Sequence, residues 1–226
     1  MQLASYIDHT ILKPTTLISE VDQLCEEAKT WSFAAVCVPP HFVKRAKEQL
    51  AGSSVKVATV IGFPFGYSAV ESKIAEVVLA MVDGADEIDM VAHIGAIKNN
   101  DWQYIANELN HILPLIRKQH KVLKVIIESG VLTKEEIVRC CDLYGAAGID
   151  YLKTSTGYAA VGARAEDVAL MRLHLPTSVK IKASGGIRDA AFARELIEAG
   201  AERLGCSASI AIVSENTTTP GSSSSY

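Results

Sequence analysis

No apolar run in this chain reaches the length of a membrane-spanning helix, because Asp or Glu interrupts each one well short of about 20 residues. Residues 1–8 lack a basic stretch ahead of an apolar core, so no secretory signal is expected there. There is no Cys-x-x-Cys pair: Cys25, Cys37, Cys140, Cys141 and Cys206 are odd in number and scattered. They read as free thiols in a reducing compartment, which points to the cytoplasm and away from a disulfide framework or zinc site. Lys and Arg form no basic block and the formal net charge is only -4, so neither nucleic acid nor a membrane surface is expected as a partner. Also missing are a Gly-x-Gly-x-x-Gly turn after the first strand-like run and a phosphate-loop lysine motif. Their absence disfavours a doubly wound nucleotide-binding sheet among the α/β folds.

What the chain has is alternation. Its 226 residues are 49% hydrophobic, ample for a large core. Apolar strand-like runs fall at 6–10, 33–38, 55–61, 87–91, 123–128, 149–154, 179–183 and 203–206. Between them, segments 19–31, 40–51, 69–83, 101–119, 133–147, 165–174 and 190–199 space apolar residues by three or four positions, as amphipathic helices do. Ser19 ahead of Glu20 and Asp22 reads as a helix start, and Thr133 with Glu136 has capping-box spacing. Gly84, Gly148 and Gly200 sit where helices should end. Eight strands alternating with helices make an α/β fold, most economically an eight-stranded parallel (β/α)8 TIM barrel. We expect one barrel domain over 1–213. The low-complexity segment 214–226, rich in Ser and Thr, is expected to be a flexible tail. Its last residue, Tyr226, is either a dangling end or a side chain on a long tether.

Two lysines end strand-like runs and are followed at once by small residues. Lys153 precedes Thr154-Ser155-Thr156-Gly157, and Lys182 precedes Ala183-Ser184-Gly185-Gly186. In a barrel, the site lies at the C-terminal ends of the strands. If both point inward from neighbouring strands, each disfavours the other's charge, and a neutral amine is a nucleophile for carbonyl carbon. The alternative is that each reaches solvent from a strand end. Asp89, inside the fourth run, needs a partner, which Lys182 or Lys124 could supply; it is either a proton relay or a structural ion pair. Gly157, Gly185, Gly186, Gly205 and Ser207 lie in three consecutive loops of the kind that hold phosphate, although turns also use such residues. His9, His41 and His93 have no close ligand spacing, so structural hydrogen bonding is the favoured reading over a metal site. Cys37 reads as a buried small residue or a soft nucleophile beside the pocket.

The segments Ile7-Asp8-His9-Thr10-Ile11-Leu12-Lys13-Pro14, Ala85-Asp86-Glu87-Ile88-Asp89-Met90-Val91, Leu123-Lys124-Val125-Ile126-Ile127-Glu128, Tyr151-Leu152-Lys153-Thr154-Ser155-Thr156-Gly157 and Lys180-Ile181-Lys182-Ala183-Ser184-Gly185-Gly186-Ile187-Arg188 resemble the deoxyribose-phosphate aldolase family, class I aldolases. The resemblance covers nearly the whole chain. It implies an eight-stranded α/β barrel and reversible cleavage of 2-deoxy-D-ribose 5-phosphate to D-glyceraldehyde 3-phosphate and acetaldehyde, with no cofactor and no metal. By the family pattern Lys153 is the Schiff-base lysine, Lys182 the second lysine, and Asp89 its acid/base partner. Asp8, Lys124, Thr154 and the glycine loops are the expected substrate- and phosphate-binding set. Tyr226 resembles a terminal tyrosine that in some members moves the enamine proton. Tyr158 stands where some members have a phosphate-binding lysine, and Ala208 where many have Ser or Gly. Sugar phosphates and aldehydes are the expected partners, with a homodimer possible.

Overall fold

The computed structural model describes residues 3–215. Strands β1 (Ile7–Thr10), β2 (Ala35–Val38), β3 (Lys56–Ile61), β4 (Glu87–Val91), β5 (Val122–Ile126), β6 (Tyr151–Lys153), β7 (Lys180–Ser184) and β8 (Arg203–Cys206) pair in chain order. All pairs are parallel, and β8 pairs back to β1, so the sheet closes. Around it run α1 (Ile18–Trp31), α2 (Val43–Gln49), α3 (Val70–Val82), α4 (Ile94–Lys98), α5 (Trp102–Lys118), α6 (Lys134–Ala147), α7 (Ala165–His174), α8 (Ala190–Glu198) and α9 (Ser209–Glu215). This is the expected (β/α)8 barrel.

The two-residue period of the strands separates two cores. Ile88, Met90, Leu123, Val125, Leu152, Ile181 and Leu204 belong to the large apolar layer shared with the helices. The other phase carries Asp8, Glu87, Asp89, Lys124, Lys153, Lys182 and Arg203, so β1 and β4–β8 fill the barrel interior with charge, while β2 and β3 contribute the small apolar cluster of Cys37, Ala58 and Val60. Successive side chains of a strand point to opposite faces, which is why one residue of slip would exchange the two sets.

Several local expectations change. Helix α1 begins one residue before Ser19: the backbone N–H of Leu17 donates to the Glu20 carboxylate at 2.7 Å, so the side chain three positions on, not a Ser hydroxyl, organises that end. The expected 40–51 helix opens as a 3₁₀ turn, Pro40–Phe42, and only then becomes α2. Helices α4 and α9 went unread because five and seven residues are too short to display a period. Helix α9 runs through Glu215, so the structured unit extends past the expected 213/214 boundary. Tyr226 and the rest of 216–226 lie outside the described residues. Thr133 does cap α6, accepting from Glu136 N–H at 3.2 Å, and Gly148 ends that helix with φ 66°.

Candidate active site

Strand register sets the site. Lys153 on β6 stands opposite Lys182 on β7, Lys182 opposite Arg203 on β8, and Asp89 on β4 opposite Lys124 on β5. Their side chains meet inside the barrel. Asp89 Oδ2 accepts from Lys153 and from Lys182, each at 2.7 Å, and Oδ1 accepts from Lys124 at 2.7 Å. Asp8 accepts a short hydrogen bond from Lys182 and a 2.7 Å bond from Arg203. Glu87 completes the set, 2.5 Å from Lys124 and 3.1 Å from Arg203. Asp89 thus uses both partners foreseen for it and Lys153 as well.

This connected network holds three carboxylates, Asp8, Glu87 and Asp89, against four bases, Lys124, Lys153, Lys182 and Arg203. Buried charge is costly unless paired, so the network is neutral only when one base gives up its proton. Burial disfavours the ammonium of Lys182, yet Asp8 and Asp89 outweigh it and hold its pKa well above the usual lysine range. The same opposition, with Asp89 and Glu87 prevailing, raises Lys124, and Asp8 and Glu87 raise Arg203 against its own burial. Lys153 goes the other way. Burial is the largest cause and Lys182 adds to it, while Asp89 only partly opposes, so its pKa is lowered. Burial pushes both carboxyls of Asp8 and Asp89 upward, but the surrounding cations hold each well below the carboxylate range. The two lysines are therefore shifted in opposite directions, and for Lys153 burial rather than lysine–lysine repulsion leads.

Above this network opens a cavity of about 500 Å³. Of the four bases, Lys153 alone lines it. Thr156, Gly157 and Tyr158 after β6, Ser184 at the end of β7 with Gly185 through Arg188 after it, and Gly205 within β8 with Ser207 after it form one wall. Thr10–Lys13 and the α1 side chains Glu20, Gln23 and Glu27 form the other. Gly157, Gly185 and Gly186 have φ of 89°, 87° and 79°, where a side chain is strained. Among the described residues nothing accepts from their backbone N–H groups. Gly205 is small for a different reason: a Cβ there would lie 3.2 Å from Lys182 Cε and 2.9 Å from Ser184 Cβ.

Three expected substrate-binding residues stand elsewhere. Asp8 and Lys124 are fully buried below the cavity floor and line no part of it; they pair with Lys182 and with Asp89 and Glu87. Thr154 is also buried, its hydroxyl accepting from Ser184 N–H at 3.1 Å and Ser155 Oγ at 3.1 Å, so it ties two loops together. Burial pushes the Cys37 thiol up to about 11, and Cys37 packs with Ala58 and Val60 beside Leu12 and Phe63, the buried reading of that residue. His9 is held between Ser209 Oγ at 2.9 Å and Glu27 at 2.7 Å, and His93 accepts from Ala96 N–H at 3.0 Å. Sequence reasoning missed Glu87, Arg203 and Glu128. The first two carried the same signal as Asp89, a charge inside an apolar run.

The fold and site define a (β/α)8 barrel with a buried amine of lowered pKa at its mouth and glycine loops beside it. A family model described as DeoC/LacD family aldolase matches residues 2–212, and the chain belongs to that family. It is 47% identical over 216 residues to the deoxyribose-phosphate aldolase of Caldicellulosiruptor saccharolyticus, covering 95% of this chain and 98% of the relative. It is 48% identical to that of Brevibacillus brevis, covering 97% and 98%. Among solved structures, the tetrameric deoxyribose phosphate aldolase of Aeropyrum pernix superposes with a TM-score of 0.89 at 29% identity, covering 96% of this chain and 91% of that one. An aldolase named QR15 superposes with a TM-score of 0.89 at 38% identity, covering 95% and 96%.

Proposed function

We propose that this chain reversibly cleaves 2-deoxy-D-ribose 5-phosphate to D-glyceraldehyde 3-phosphate and acetaldehyde through a Schiff base on Lys153. The observation that carries the mechanism is that Lys153 is at once the base with the lowered pKa and the base that reaches the cavity. Relatives of nearly the same length bear that activity in their names.

Neutral Lys153 attacks the aldehyde carbon, and loss of water gives an iminium. Its positive charge draws electrons, so the bond two carbons away breaks as the C3 hydroxyl proton leaves through a water to the Asp89–Lys182 pair. Glyceraldehyde 3-phosphate departs and an enamine stays on Lys153. Protonation of the enamine carbon and hydrolysis release acetaldehyde and restore the amine. Asp89 lies one hydrogen bond from the reacting nitrogen, and Lys182, held cationic by Asp8, keeps that carboxylate charged. Such acid–base help typically contributes about 10²–10⁴-fold. The iminium serves as the electron sink, so the scheme needs no metal ion or other cofactor. The amides of Gly157, Gly185 and Gly186, with Gly205 and Ser207 beside them, suit the phosphate. Tyr226, outside the described residues, is the further candidate for delivering the enamine proton.

Borohydride reduction in the presence of acetaldehyde tests the assignment. An ethyl group should appear on Lys153 by peptide mass spectrometry, and Lys153→Leu should be folded and inactive. An active enzyme with no adduct at Lys153 sinks the mechanism.

A further inference from the structure

Glu128 leaves β5 with φ 54° and ψ 57°, a left-handed conformation that a residue with a side chain adopts at a cost of about 1–2 kcal/mol. The loop around it is pinned. Ser129 N–H donates to the Thr154 carbonyl at 2.8 Å, and Ser129 Oγ donates to Asp167 at 2.9 Å. The strained residue spends its carboxylate on the next loop. Thr156 N–H donates to its two oxygens at 3.2 and 3.4 Å, and the Thr156 hydroxyl donates a short bond to Oε2. That hydroxyl in turn accepts from Tyr158 N–H at 3.0 Å.

The chain of bonds from Tyr158 through Thr156 to Glu128 consumes both amides that flank Gly157. Gly157 N–H is left as the donor of that turn with no acceptor among the described residues. The turn is also fitted to its neighbour: a Cβ on Gly185 would lie 3.4 Å from Gly157 Cα. A small rotation of the β6 loop would therefore spoil both the aim of the Gly157 amide and its packing on the β7 loop. Glu128 does not line the cavity, so it acts through Thr156.

We propose that Glu128 is a positioning residue for the phosphate end of the site, its carboxylate fixing the loop of Thr156 so that the Gly157 amide meets the phosphate oxygens. This rests on the function proposed above. In this left-handed conformation the Glu128 carboxylate meets the neighbouring loop while the turn Ser129–Val131 is closed.

Two substitutions in the full-length chain separate backbone from carboxylate. Glu128→Gly relieves the left-handed strain and removes the carboxylate; Glu128→Gln keeps the shape and one good acceptor. Inorganic phosphate binding, followed by calorimetry, should weaken about 10- to 100-fold in Glu128→Gly, the loss of a charge-assisted bond, and less in Glu128→Gln. KM for 2-deoxyribose 5-phosphate should rise in the same order, while kcat/KM for unphosphorylated 2-deoxyribose and the acetaldehyde adduct on Lys153 stay at wild-type level. A residue of merely structural role would affect both sugars equally. Equal losses on the two sugars, or unchanged phosphate affinity in Glu128→Gly, overturn the proposal. Absence of the Lys153 adduct in the wild type would overturn the aldolase mechanism instead, and the phosphate titration would still decide the role of Glu128.

Discussion

Replacing Asp89 by Asn removes one charge at almost constant volume and separates two roles of that carboxylate. In the variant, Lys124 keeps Glu87 and Lys182 keeps Asp8, but Lys153 loses the carboxylate it pairs with. Asp89 is the main group opposing deprotonation of Lys153, so burial and Lys182 then act with less resistance. A unit charge pair about 4 Å apart at an effective dielectric of 20 is worth about 4 kcal/mol, and each 1.4 kcal/mol is about tenfold in the neutral fraction. The asparagine oxygen still accepts a hydrogen bond and Lys182 can relax, so about 10- to 100-fold is the expected gain on the acid side of the profile. The assay is the rate of ethyl-adduct formation on Lys153 with acetaldehyde and cyanoborohydride across pH, read on the intact protein. It needs attack and dehydration but no carbon–carbon cleavage. Cleavage of the sugar phosphate should fall at the same time by about 10²–10⁴-fold, because the proton acceptor is gone. Faster trapping at low pH with slower cleavage is the signature. Slower trapping across the acid range refutes the reasoning, since Asp89 would then be needed for dehydration more than it restrains Lys153. The variant should lose about 3 kcal/mol of stability, the low end for breaking a buried pair, because two of its three cations keep a second carboxylate.

Other outcomes follow from the same geometry. Lys73 Nζ lies 2.5 Å from Glu108 and donates to the Val91 carbonyl at 2.8 Å at the end of β4, all buried; Glu108→Ala should cost about 3–5 kcal/mol by denaturant unfolding, whereas Lys73→Met with Glu108→Leu should be nearly neutral. Asp89 has a folded pKa well below its usual 3.8, so it contributes stability that is complete well above that value and is lost as pH falls below it; the fall of melting temperature below about pH 4 should be shallower in Asp89→Asn. Tyr158 donates to the Leu12 carbonyl at 2.7 Å and meets the Phe63 ring edge-on at 5.4 Å, bracing loops on both sides of the cavity; Tyr158→Lys should lower KM for the phosphorylated sugar while reducing melting temperature. Deleting Tyr226 should slow proton exchange at the acetaldehyde methyl and spare the Lys153 adduct, and unchanged exchange would make the tail a bystander.

The barrel was legible because its helices and strands have different periods, and each strand shows an apolar phase toward the helices whatever its other phase holds. Strands β4 and β8 fall where the sequence places them, whereas 149–154 contracts to Tyr151–Lys153. Lys153, Lys182 and Asp89 were legible by another rule, that charge inside an apolar run must be satisfied. What one chain could not give was who satisfies whom. Asp8 and Lys182 are 174 positions apart, and only closure of β8 onto β1 brings Asp8 beside Lys182 and Arg203. The family resemblance offered Asp8 as a substrate-binding residue, and its ion pairs with Lys182 and Arg203 had no sequence signal. Glu128 was hidden for a further reason: its role depends on a left-handed backbone angle, which a glutamate seldom adopts and nothing in its neighbours announces. Glu87 and Arg203 were within reach. Counting sign over the inward phase of all the strands gives three carboxylates against six bases; Lys56 and Lys180 stand exposed at the starts of β3 and β7, which leaves four, and a buried network with one surplus base must either deprotonate it or expose it. Lys153 alone among the four has a lowered pKa and lines the cavity, and the Schiff base proposed on it rests on that double condition.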